Sequence, residues 1–346
     1  MLYLVLVSVL ILAALAVYIF FGGKKLPSAA ESIIDDVLRA DLPELVQGQS
    51  GFAISGEIKI WYECIAPRGE TNGTVMLISP MGGDGLFWPL AFRRAFLDAG
   101  YAVIRYDQRG AGLSDWIEAW DRKHPYSLVD MAGDAAAVLD ALSIERAHLV
   151  GVSLGGMVAQ ELAIHHPGRT ASLTLIMTSA YAPDPDIPGL TTQTLLRYAM
   201  RALPLLRYRI LGGERNLIRE RIAKMLQVVD LGDGDIREMA TMVLYDLRKR
   251  RGINFRALLQ HHAAVSVTPP RFDALQRLNV PTLIIHGAED EIIPIDHGKK
   301  LAAAIPAART IWLEGVGHLF PPPRLPELTV EIIAHIEASN RPPLSP

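Results

Sequence analysis

Short apolar runs alternate with stretches of helical periodicity through most of this sequence, and that alternation restricts the chain to a small set of folds. Ile58–Ala66, Thr74–Ser79 (TVMLIS), Ala102–Asp107 (AVIRYD), Ala147–Val152 (AHLVGV), Ala171–Met177, Pro281–His286 (PTLIIH) and Thr310–Glu314 (TIWLE) each read as a strand. Between them, Pro89–Ala99, Ser127–Leu142, Leu154–His166, Ile295–Ala304 and Leu325–Ala338 read as helices. In the second of these, Leu128, Met131, Ala135, Val138 and Leu139 recur at helical spacing, with Ser127 placed to cap and Asp130 in the first turn. Strands that are apolar without interruption need cover on both faces. The pattern therefore predicts an α/β fold with a mostly parallel central sheet and helices on both sides. In such sheets ligands bind beyond the carboxyl ends of the strands, so chemistry is expected just after each run.

The 346 residues suffice for one large domain with an insertion. A formal net charge of -3 gives no reason to expect nucleic acid as a partner. The single cysteine, Cys64, excludes an intramolecular disulfide framework and any zinc site built from several cysteines. Residues 183–272 lack strand-like runs and are rich in helix formers. They carry many basic residues, including Arg197, Arg201, Arg207, Arg209, Arg219, Arg221 and the run Arg248–Arg251. They read as a helical cap inserted between two parts of the core, 51–182 and 273–346. Residues 24–50 read as a connector. Its periodic part (Ile33, Ile34, Val37, Leu38) is free either to pack on the domain or to lie at a membrane surface. No internal repeat or low-complexity segment is present.

The first 21 residues contain no charged side chain, with Tyr3 near one end and Tyr18–Phe21 at the other, before Gly22, Gly23, Lys24 and Lys25 end the run. At about 1.5 Å per residue, roughly 20 residues cross a bilayer core of about 30 Å. The expectation is a single-pass transmembrane anchor over 1–23. A cleaved signal peptide is the alternative, with Ser28-Ala29-Ala30 as its processing site. Against it, no basic segment precedes the run, which exceeds the roughly 7–15 residues of a signal's apolar region. The lysines that follow the span place the globular part on the cytoplasmic side by the positive-inside rule.

Gly151-Val152-Ser153-Leu154-Gly155 fits G-x-S-x-G, with the strand AHLVGV before it and a helix after it. A tight strand-to-helix turn of this kind admits only small residues beside the serine, and Gly151 and Gly155 supply that room. The turn places Ser153 at a helix N-terminus, where backbone N–H groups favour developing negative charge. Helix capping is the plainer role for a serine there. As a nucleophile it needs a base to take its proton. His318, in the loop Gly315-Val316-Gly317-His318 after the last strand, is the candidate. His165, His166, His261 and His262 read as surface or packing residues. The base in turn needs a carboxylate, and Glu289, Asp290 and Glu291 stand together after PTLIIH. Asp107–Gly112 is glycine-rich but lacks the lysine and spacing of a phosphate loop and opens no helix. It reads as a structural turn, and no metal or cofactor is expected.

Together GVSLGG (151–156), YDQRGAGLSD (106–115), HGAEDEIIP (286–294) and GVGH (315–318) resemble the α/β-hydrolase superfamily. More narrowly, the chain is similar to serine esterases related to aclacinomycin methylesterase. The resemblance implies the chain order serine, acid, histidine, and its G-x-x-D pattern selects Asp290, giving the triad Ser153, Asp290 and His318. Some hydrolases place the acid after an earlier strand, which here would be Asp184 or Asp186. The oxyanion donors it implies are the backbone N–H groups of Leu154 and Met81. At the second position many relatives have His-Gly, whereas this chain has Ser79-Pro80-Met81-Gly82-Gly83, so the usual histidine support of that loop is missing.

The expected activity is hydrolysis of a carboxylic ester of a small molecule or lipid. Ser153 argues against epoxide hydrolases and haloalkane dehalogenases, which use an aspartate nucleophile. Carbon–carbon hydrolases and cofactor-free perhydrolases keep the serine and stay open, as do a lipid-active enzyme and a silent binding scaffold.

Overall fold

The computed structural model describes residues 2–340 apart from 188, 190, 191, 228 and 230. In chain order the elements begin α1 (Leu2–Phe21), α2 (Ala30–Arg39), β1 (Gln49–Ser55), β2 (Ile58–Ile65), β3 (Thr74–Ile78), α3 (Leu90–Asp98) and β4 (Ala102–Tyr106). Next come α4 (Leu128–Ala141), β5 (Ala147–Val152), α5 (Leu154–His165), β6 (Thr170–Ile176), α6 (Thr192–Ala202), α7 (Leu206–Leu211) and α8 (Gly213–Met225). The chain continues through α9 (Asp233–Lys249), α10 (Phe255–Val267), α11 (Phe272–Leu275), β7 (Thr282–Gly287), α12 (Ile295–Ala304), β8 (Arg309–Leu313) and α13 (Leu325–Ser339).

Among the described residues, eight strands form one sheet in the order β1-β2-β4-β3-β5-β6-β7-β8. β2 runs antiparallel to β1 and β4, and the other neighbours are parallel. Successive side chains of a strand point to opposite faces, and the core follows that rule. Met76 and Ile78 of β3 join Ile104, Leu149 and Leu173 against α4 and α5, through Met131, Leu139, Val158 and Leu162. Val75 and Leu77 join Val103 and Val150 against α3 and α13, through Phe92, Phe96, Ile332 and Ile336. Ser127 caps α4 as expected, accepting from the Asp130 N–H while the Asp130 carboxylate accepts from the Ser127 N–H. β1 is the strand that sequence periodicity does not announce. It lies at the sheet edge, its apolar Phe52 and Ile54 exposed and the small Ala53 turned inward.

The chain divides into two compact units, Met1–Pro43 with Leu190–Lys249, and Glu44–Gly189 with Arg250–Pro346. The stretch read as a cap is thus shared: residues 190–249 lie in the first unit, and 183–189 and 250–272 in the second. In the first unit the connector helix α2 packs rather than lying loose. Ile33, Ile34 and Val37 are buried with Ile218, Ile222, Ile236 and Met239 of α8 and α9. Ion pairs flank this contact: Arg219–Glu31 at 2.7 Å, Arg237–Asp36 at 3.3 Å, and Arg215–Asp35. Pairs this exposed contribute about 0–1 kcal/mol each, so the apolar contact dominates.

The transmembrane anchor expected over 1–23 needs correction. Among the described residues, no helix is long and apolar enough to cross a membrane. α1 has 20 residues and no charged side chain.

Candidate active site

Ser153 sits between β5 and α5 at φ 55°, ψ −118°. For a residue with a Cβ this is a strained backbone, costing on the order of 1–3 kcal/mol. The surroundings enforce it. The Ser153 N–H donates to the Ile176 carbonyl at 2.8 Å, and the Thr178 hydroxyl donates to the Ser153 carbonyl at 2.6 Å. The glycines are required by proximity. A Cβ on Gly151 would lie 2.3 Å from the Gly155 oxygen, and one on Gly155 would lie 2.1 Å from the Ile78 oxygen. The Ser153 side chain makes no capping hydrogen bond to α5. Its Oγ instead lies 3.1 Å from Nε2 of His318.

His318 arrives on the loop after β8, which turns at Gly315 (φ 70°). That loop crosses close to the end of β7, where a Cβ on Gly287 would lie 2.3 Å from the Val316 oxygen. The crossing brings Nδ1 of His318 to 2.7 Å from Oδ2 of Asp290. The other carboxylate oxygen, Oδ1, accepts from the N–H groups of Ile292 and Ile293, both at 2.9 Å. Burial alone would raise the Asp290 pKa. The His286 and His318 imidazoles beside it outweigh that and hold the carboxyl at about 2. An ionised Asp290 accepts the proton of Nδ1, which leaves Nε2 of His318 as an acceptor facing the serine. Glu289 and Glu291 are exposed. Asp184 and Asp186 pair with Lys300 at 2.7 and 3.0 Å.

The two expected amides lie close to this turn. Leu154 is the first residue of α5. Met81 is in the loop after β3, whose last residue, Ile78, pairs with Gly151 of β5. Among the described residues, no hydrogen bond takes up the N–H of Met81 or of Leu154. The loop itself is tied down. The Ser79 hydroxyl donates to the Asp84 carbonyl at 2.7 Å, the Gly83 N–H to the Pro80 carbonyl at 2.9 Å, and the Gln108 side-chain amide to the Ser79 carbonyl. The Gly82 N–H donates to Nδ1 of His261 at 3.0 Å, and Nε2 of His261 lies 2.8 Å from the Arg109 carbonyl.

Residues 107–112 form a structural turn beside this loop. The Asp107 carboxylate accepts from the Gly85 N–H at 2.8 Å and the Leu113 N–H at 2.7 Å, and pairs with Arg250. Arg109 holds Asp134 through two bonds of 2.7 Å. Among the described residues, no group of three or more His, Cys, Asp or Glu side chains is arranged to hold a metal ion.

Two histidines make hydrogen bonds that the sequence reading, which set His261 among surface or packing residues, did not assign. His286 is buried with Nε2 3.5 Å from Asp290 Oδ2 and 2.8 Å from the Ile293 carbonyl. Its place at the end of an apolar strand, four residues before the acid, was the available signal. His261 is buried on a face of α10 shared with Ala257, Ala264 and Val265. A histidine on a small apolar helical face was the signal there.

Fold and site together define a hydrolase of the α/β type. The α/β-hydrolase fold family matches residues 73–322, and the chain belongs to that family. It is 30% identical over 299 residues to the rhodomycin D methylesterase DauP of Streptomyces sp. (strain C5), spanning 82% of this chain and 97% of that one. It is 29% identical over 272 residues to a 2-hydroxy-6-oxononadienedioate/2-hydroxy-6-oxononatrienedioate hydrolase of Paraburkholderia phymatum, spanning 76% and 85% of the two chains. Among solved structures, a hydrolase from Pseudomonas aeruginosa PA01 aligns with a TM-score of 0.58 at 27% identity, covering 84% of this chain and 98% of that one.

Proposed function

We propose that this protein hydrolyses carboxylic esters through an acyl-enzyme on Ser153. The observation that carries the reading is the continuous hydrogen-bonded line from the Ser153 hydroxyl through His318 to Asp290, at 3.1 and 2.7 Å. Nε2 of His318 takes the hydroxyl proton as Oγ attacks the ester carbonyl. The Met81 and Leu154 amides receive the oxyanion. Collapse of the tetrahedral intermediate expels the alcohol, which takes the proton from His318. Water then loses a proton to the same nitrogen and releases the acid.

The methylesterase likeness favours methyl esters as the first substrates to try. The relative from Paraburkholderia phymatum favours a second reading, carbon–carbon bond hydrolysis of an oxo-acid. A lipid substrate has less behind it, because Arg209, Arg215, Arg219, Arg237 and Arg248 are engaged in ion pairs.

The test compares wild type with Ser153→Ala on p-nitrophenyl and methyl esters and with a fluorophosphonate probe. Wild type turns over ester and is labelled; the variant loses both and keeps its fold. Turnover retained in Ser153→Ala excludes the mechanism, and a wild type that neither reacts nor labels points to a silent scaffold.

Membrane attachment through α1, with the globular part on the cytoplasmic side, belongs to the same proposal. Leu6, Leu10, Ile11, Leu12 and Val17 of this uncharged helix are exposed, as are Leu196 and Ile210 of the same unit. Lys24 and Lys25 follow the helix. Full-length protein should sediment with membranes, and a chain starting at residue 26 should not. Release of both removes this part of the reading.

A further inference from the structure

We infer that His261 is a positioning residue for the oxyanion loop, holding residues 80–83 so that the Met81 N–H faces the reacting carbonyl. The inference rests on the acyl-transfer reading above and assigns a part of that site which no glycine or triad motif marks.

His261 is 0% exposed and has a partner at each ring nitrogen. Nε2 faces a carbonyl, that of Arg109, so it must carry the proton and donate. Nδ1 then has only a lone pair, and that lone pair accepts from the Gly82 N–H. The tautomer is dictated by the two neighbours, and a neutral ring is the one species that satisfies both.

The loop needs such a hold. It contains Pro80, which offers no N–H, and Gly82 at φ 68°, a left-handed backbone that glycine adopts freely and can leave as freely. The next peptide over from the Met81 amide is the one whose N–H belongs to Gly82. Fixing that N–H limits rotation of the segment that presents Met81. α10 supplies the rest of the brace. A Cβ on Gly82 would lie 2.4 Å from the Leu258 side chain, Asn254 donates to the Gly110 carbonyl at 2.9 Å, and Gln260 donates to the Ile117 carbonyl at 2.7 Å. One helix thereby clamps both loops beside the serine, with His261 the residue that bonds to each. The loop has no histidine of its own; the imidazole comes from α10, 179 positions away in sequence from Gly82.

The two bonds can be separated by substitution. Asn in place of His261 keeps an acceptor near the Nδ1 position, whereas Gln keeps a donor near the Nε2 position. We expect His261→Gln to lower kcat on a p-nitrophenyl ester by about 10- to 100-fold with KM little changed, as for an oxyanion donor moved rather than lost. His261→Asn should recover most of that kcat. The affinity for a trifluoromethyl ketone, which mimics the oxyanion, should fall in step with kcat/KM in the Gln variant. Equal kcat in wild type and His261→Gln, or equal losses in the Gln and Asn variants, would overturn the assignment. Should neither variant fold, ring 15N shifts of the wild type decide: a proton on Nε2 with Nδ1 bare supports the assignment, and a proton on Nδ1 overturns it. A wild type that neither turns over ester nor labels at Ser153 would instead sink the acyl-transfer reading itself.

Discussion

Nδ1 of His318 lies 2.7 Å from Oδ2 of Asp290, a carboxylate whose other oxygen is already committed to two backbone amides. The carboxylate is therefore held still, and the ring is oriented by it. Replacing Asp290 with Asn keeps the shape and removes the charge, so His318 can be held in the wrong tautomer. Asp290→Asn should lower kcat by about 10³- to 10⁴-fold. Asp184→Asn, which alters a group paired with Lys300, should leave kcat close to wild type. Steady-state kinetics on one ester checks both, and a large loss in the Asp184 variant would move the acid to that position.

Gly155 approaches the Ile78 oxygen so closely that even a methyl group, at 2.1 Å, requires β3 or α5 to move. Gly155→Ala should therefore be destabilised by several kcal/mol, on the order of the larger single-site effects, and should lose fluorophosphonate labelling because the serine turn shifts. Gly168→Ala, with open space around its Cα, is the control and should behave as wild type. Urea unfolding midpoints together with labelling measure the two effects.

Acid should weaken the fold before it protonates Asp290. His148 and His261 are both pushed down to about 4, chiefly by burial. Each ring binds a proton less readily folded than unfolded. The stabilisation is complete above the unfolded pKa of about 6.5 and is lost as pH falls toward 4, worth about 3 kcal/mol per ring at the limit. Asp290 acts in a lower window: its depressed pKa stabilises above about 4, and that contribution is lost as pH falls toward about 2. Urea midpoints should fall steadily between pH 7 and 4.5, and His148→Gln should flatten part of that slope. A midpoint independent of pH over this range would contradict the burial of both rings.

The strands β2 to β8, the helices that cover them and the turn at Ser153 were all legible in the sequence. Each depends on residues near one another along the chain. Continuous apolar runs such as TVMLI demand cover, and a serine between two glycines at a strand end admits few conformations. β1 was not legible, because its larger apolar residues face outward and periodicity loses its meaning at an exposed edge. The open choice for α2 was settled by Ile218, Ile222 and Ile236, on helices that follow it by more than 170 residues.

By itself the sequence determined a covered parallel sheet and a strained serine after the strand AHLVGV, since backbone sterics and side-chain periodicity act over a few residues. The residues alone left the acid open among Glu289, Asp290 and Glu291, with only the resemblance pointing to Asp290, and it was the tertiary structure that decided which carboxylate reaches His318 and which histidine holds Gly82. A hydrogen bond needs its partner within about 3 Å, and which distant loops come that close follows from the order of strands in the sheet.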